Sequence, residues 1–137
     1  MWYNEHMKST DIALLGIYEI EMRHIIARTG ILAEHLGWTK QKTCRILNEL
    51  EASSMIHREK LAFFTVSKNG RRRAEHIICA MRNLETILCN AGIDKENCGK
   101  YVEAMISELS AKDAKTLSNW CRRRDSNPQY GVNQTGS

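Results

Sequence analysis

Residues 31–51 read ILAEHLGWTKQKTCRILNELE, and this stretch decides the fold. Two short amphipathic segments meet at Gly37, the residue type that most readily takes the left-handed conformation closing a helix. The first segment, Arg28 to Leu36, turns Ile31, Leu32 and Leu36 inward. Thr39 then offers a side-chain oxygen to the unpaired amides of a new first turn, and Cys44, Ile46, Leu47 and Leu50 form that helix's buried side. Two helices joined by a tight glycine-containing turn make a helix-turn-helix.

Working outward, Met55-Ile56-His57-Arg58 and Ala62-Phe63-Phe64-Thr65-Val66 flank Glu59-Lys60-Leu61 and have the branched and aromatic content of a β-hairpin, the wing of such a domain. Upstream, Ile12, Leu14, Leu15, Ile17, Tyr18 and Ile20 follow the cap cluster Ser9-Thr10-Asp11 and predict a helix from about Asp11 to Met22, with Ile25-Ile26 as a short strand. Downstream, Ser67 caps a long helix from Lys68 to about Asn90 with Ala74, Ile77, Ile78, Met81, Leu84, Ile87 and Leu88 as its apolar set. Gly92 ends it. Asp94 starts a fifth helix carrying Val102, Met105, Ile106 and Leu109, and Ser110 to Asp113 opens a sixth through Trp120. The expected class is mainly α with a small β-hairpin: a winged helix-turn-helix over residues 1–73, a helical dimerisation region over 74–120, and a flexible tail over 121–137.

At 137 residues and 42% hydrophobic, the chain is long and apolar enough to bury a core. No apolar run reaches the ~18–20 residues of a membrane span, and MWYNEHMKSTD lacks the layout of a signal peptide, so a cytoplasmic protein with no membrane partner is expected. Cys44, Cys79, Cys89, Cys98 and Cys121 are odd in number and show no paired ligand spacing, which predicts free thiols. There is no glycine-rich phosphate loop, nucleophile elbow or metalloprotease motif, so an enzyme is not expected.

The net charge of +4 is unevenly spread: from Thr39 to Arg73 nine Lys/Arg stand against three Glu, a surplus of +6, leaving −2 elsewhere. The surplus coincides with the helix-turn-helix and wing, which points to double-stranded DNA as the partner. In this motif the second helix enters the major groove, so Thr39, Lys40, Gln41, Lys42, Thr43 and Arg45 are the expected DNA contacts, with Lys60 at the wing tip and Arg71 at the next helix start adding phosphate contacts. A solvated helix face also looks basic and polar; the hairpin that follows at once and the further cations around it favour DNA. Two other readings stay open. One is a winged-helix module that binds protein. The other is a thiol sensor acting through Cys44, whose plainer role is that of a small buried core residue.

ALLGIYEIE in the first helix, ILAEHLGWTKQKTCRILNELEASSMI in the helix-turn-helix, FTVSKNGRRRAE after the wing and LETILCNAGIDKENCGKYVEAMISELSAKDAKTL in the second half together resemble the diphtheria-toxin-repressor family of iron- and manganese-dependent transcriptional regulators. The resemblance spans roughly Thr10 to Trp120. It implies a homodimer on a palindromic operator, and a divalent metal, Mn or Fe, as cofactor. The family's ligand positions fall at Ile12, at Met81 and Glu85, and at Glu103, Ile106 and Ser107. Of these only Glu85 and Glu103 can bind a metal, because a hard cation needs oxygen or nitrogen donors. A displaced site drawing on His76, Glu85, Glu103 and Glu108 is the alternative, and a lost or altered metal response is the expectation.

Overall fold

The computed structural model describes residues 7–59 and 63–126, with side chains through Trp120. The elements are α1 (Ser9–Met22), β1 (Ala27–Arg28), α2 (Thr29–Leu36), α3 (Lys40–Ala52), β2 (Ile56–Arg58), β3 (Phe63–Val66), α4 (Lys68–Asn90), α5 (Lys95–Glu108) and α6 (Ala111–Ser126). The chain divides into two compact units, the first ending at Ala74 and the second beginning at Glu75.

The first unit is built on α1. Ile12 to Ile17 are six consecutive buried residues, so this helix is covered on most of its circumference rather than along one stripe. It packs on α2, α3 and β3. The approach to α2 is close at Gly16, where an added Cβ would lie 3.0 Å from Leu32 Cδ1 and 3.3 Å from Leu36 Cδ2. The helix starts two residues before the expected Asp11, and no side chain caps it.

The three strands form one antiparallel sheet in the order β1-β3-β2, with Ala27 opposite Phe64 and Ile56 opposite Val66. The expected strand at Ile25-Ile26 lies two residues later, at Ala27–Arg28, because the chain must first leave α1 through His24 at φ 61. Ile25 and Ile26 are consequently exposed. Gly37 closes α2 at φ 70, as expected of it. Ser54, at φ 63, closes α3 without a glycine, and its carbonyl accepts the Ser67 hydroxyl at 2.7 Å. Ser67 in turn caps α4, its Oγ accepting Gly70 N–H at 2.9 Å. Gly70 sits against the Met55 carbonyl, where any Cβ would collide.

In the second unit Ile77, Ala80, Met81 and Leu84 of α4, Cys98, Val102 and Ile106 of α5, and Ala114 and Ser118 of α6 are buried. Buried Asn83 is satisfied by donating its amide to the Leu117 carbonyl. Ser110 starts α6 by accepting Asp113 N–H at 3.1 Å, as its position predicts. Ile87 and Met105, expected within the apolar sets, are exposed, as is Tyr101. Helix α6 continues past Trp120 to Ser126, six residues into the segment expected to be a tail; residues 127–137 lie outside the described residues. No helix among the described residues is long and apolar enough to cross a membrane.

Candidate nucleic-acid interface

Helix α3 begins where its sequence says it should. Thr39 Oγ1 accepts Lys42 N–H at 3.1 Å, and the Thr39 carbonyl accepts both the Thr43 amide at 3.0 Å and the Thr43 hydroxyl at 2.8 Å. The hydroxyl bond belongs to a buried Thr43, which corrects the expected register. Thr43 is fully buried, so its side chain cannot reach a groove, while Cys44 is exposed and is no part of the core. The stripe that seats α3 is Thr43, Ile46, Leu47 and Leu50, the i, i+3, i+4, i+7 series of one helix face. Burying a threonine costs little when its hydroxyl is hydrogen-bonded within its own helix.

With the register set, the outward face is Lys40, Gln41, Cys44, Arg45 and Asn48, all exposed. Lys42 is half-buried, and its ammonium lies 4.4 Å over the Trp38 ring, which orients the cation. Arg45 faces Glu49 one turn on, at 3.5 Å between exposed groups, a pairing too weak to withhold the guanidinium from an anion.

Arg58 of β2 was not singled out in the sequence. Its Nη2 donates to Asn48 Oδ1 at 2.7 Å, its Nε is 3.3 Å from Glu51 Oε1, and its guanidinium lies 5.6 Å over Phe64. This one residue of β2 therefore braces the outward face of α3 and orients Asn48, whose amide nitrogen is left as a donor. The signal that would have flagged it is an arginine on a short strand ten residues after an asparagine on the helix face, which carries no weight without the fold.

Lys60 lies outside the described residues. Arg71 is exposed in the first turn of α4, as are Lys68 and Arg72. Arg73 differs from them: its Nε and Nη2 donate to both carboxylate oxygens of Asp11, at 3.3 and 3.1 Å, with both side chains less than one-fifth exposed. This arginine is a structural tie between α1 and α4. It borders a cleft of about 290 Å³ lined also by Thr10, Leu14, Glu49, Ser53 and Met55.

The metal positions implied by the resemblance do not fit a hard cation. Ile12, Met81 and Ile106 are buried apolar residues, and Ser107 turns its hydroxyl to the Ala104 carbonyl at 2.7 Å. Glu85 is exposed and Glu103 half-buried. Among the described residues no group of three or more His, Cys, Asp or Glu side chains gathers at a point, so the displaced set of His76, Glu85, Glu103 and Glu108 is not assembled either.

Solved structures share this architecture. The metal-dependent transcriptional regulator MtsR superposes with a TM-score of 0.68 at 15% identity over 83% of this chain and 54% of its own. The manganese regulator SloR gives 0.65 at 18% identity over 82% and 53%. The chain has the diphtheria-toxin-repressor-type fold. A hypothetical protein from Sulfolobus solfataricus gives 0.66 at 22% identity over 80% of this chain and 84% of its own. At these identities the likeness is one of fold, and the chain spans about half the length of the two named regulators. No family model and no curated protein matches the sequence.

Proposed function

We propose that the protein is a sequence-specific, DNA-binding transcriptional regulator that acts as a homodimer and whose metal response is lost or altered. The observation that carries this reading is the outward face of α3. Lys40, Gln41, Arg45 and Asn48 stand exposed along a helix capped by Thr39 and braced by Arg58, with Arg71 nearby in sequence on α4. Arg45 supplies the bidentate fork that matches guanine, Gln41 and Asn48 the amides that match adenine, and Lys40 and Arg71 point charges for phosphate. Residues 1–73 are the DNA-reading part and residues 74–120 the dimerising part. Exposed Ile87, Tyr101 and Met105 in the second unit support a partner surface there. The apolar residues at the family's metal positions support a response that does not pass through that metal centre.

The test is selection of bound duplexes from a random pool, followed by anisotropy titrations at several salt concentrations. A selected duplex is expected to bind more tightly than its scrambled version, with affinity falling steeply as salt rises, because phosphate contacts release counterions. No complex at low salt, with or without Mn²⁺ or Fe²⁺, would overturn the reading. Light scattering checks the dimer, at twice the 15.7 kDa chain mass.

A further inference from the structure

Helix α4 ends at Asn90 and α5 begins at Lys95, and the short return between them brings Cys89, in the last turn of one, to Cys98, in the first turn of the other. Their sulfurs are 3.3 Å apart, and both thiols are free. The return is ordered by its own hydrogen bonds. Gly92 takes φ +99, and Ile93 N–H donates to the Leu88 carbonyl at 3.1 Å. The distance left to a bonded pair, whose sulfurs lie about 2.05 Å apart, is on the order of 1 Å, within reach of side-chain rotation. The two thiols are unequal in access, since Cys89 is exposed and Cys98 fully buried.

We propose that Cys89 and Cys98 form a dithiol site that hydroperoxides oxidise to an intrachain disulfide. Cys89, the solvent-facing member, attacks as thiolate on the terminal peroxide oxygen. The O–O bond breaks, the sulfur becomes a sulfenic acid, and the alkoxide leaves and takes up a proton. The Cys98 sulfur, giving up its proton, then attacks the Cys89 sulfur; the S–O bond breaks and hydroxide leaves with that proton as water. In sum two thiols lose two electrons, and the peroxide is reduced to one alcohol and one water. Burial, and then the neighbouring Cys89, Glu85 and Asp94, push the Cys98 thiol up to about 11, so it stays protonated while Cys89 meets the oxidant. Once deprotonated, a sulfur of high pKa is the stronger nucleophile. The disulfide would clamp the α4–α5 turn.

The site does not rest on the DNA-binding reading, and its test uses no DNA. The full chain is treated with hydrogen peroxide, its remaining thiols are blocked with N-ethylmaleimide, and its peptides are mapped by mass. Of the five thiols, two are expected to disappear as one Cys89–Cys98 linked pair, with the chain still running as a monomer on a non-reducing gel. In Cys98→Ser, Cys89 is expected to stop at the sulfenic acid and be captured by dimedone at least tenfold more than in the parent. Equal dimedone capture in both, a Cys89 bond to a second chain, or all five thiols left alkylatable would each overturn the proposal. The map of the unmodified protein decides it even where a variant fails to fold.

Discussion

Helices α3 and α5 are built on the same plan and differ in what they offer. Each buries a stripe at helical spacing, Thr43, Ile46, Leu47 and Leu50 in one and Cys98, Val102 and Ile106 in the other. On α3 the opposite face carries hydrogen-bond donors held in place by a cap and by a strand residue. On α5 the positions where the family resemblance looks for donors hold Ile106 in the core and Ser107 bonded to its own helix. The two faces meet unequal physical demands. The surface needs only exposed donors on a seated helix, whereas a metal site needs several specific donors converging on one point.

The largest effect should come from unseating α3. Leu47→Ala removes a fully buried side chain and is expected to cost about 3 kcal/mol in urea unfolding, within the usual range for such truncations, and to abolish DNA binding with it. If binding survived that loss, the seat of α3 would not be what presents the face.

A contact on the face itself should separate binding from folding. Arg45→Ala is expected to weaken binding to a selected duplex by about 1–3 kcal/mol in anisotropy titrations while leaving the thermal midpoint unchanged, since the residue is exposed. An equal loss from Glu103→Ala would erase the contrast between the two helices.

Thr39→Ala removes the hydroxyl that accepts Lys42 N–H and should cost about 1 kcal/mol of stability by calorimetry.

Raising the pH tests the α4–α5 junction. The folded chain holds the Cys98 proton to about 11 against an ordinary 9.0, so ionisation is harder in the folded than in the unfolded state. The Cys98 contribution to stability is therefore expected to be constant below pH 9 and to be lost as pH rises from 9 towards 11, and Cys98→Ala should remove that component from a pH series of denaturant melts.

The smallest effect is expected for Glu85→Gln and Glu103→Gln: in titrations with Mn²⁺, each should match the parent protein's DNA affinity within about 0.5 kcal/mol, or roughly twofold. A larger shift confined to the metal-containing arm would show that α5 keeps a control role.

The sequence alone determined the element order, because hydrophobic periodicity, the glycine at position 37 and the oxygens of Thr39, Ser67 and Ser110 are local signals acting over one or two turns. The register of α3 differs from the expected one at a single position: Ile46, Leu47 and Leu50 share their face with Thr43, three, four and seven residues back, and not with Cys44. Helix α6 outruns its expected end at Trp120 because Cys121-Arg-Arg-Arg, with little to bury, is still compatible with helix. Tertiary structure alone decided the rest. The strand at Ala27–Arg28 forms where β3 can pair with it, leaving the more apolar Ile25-Ile26 outside. Asp11 meets Arg73 across 62 positions, Asn48 meets Arg58 across ten, and Cys89 meets Cys98 across nine. Such pairings depend on how helices pack and turns return, and a side chain's own chemistry does not say which partner the fold will bring to it.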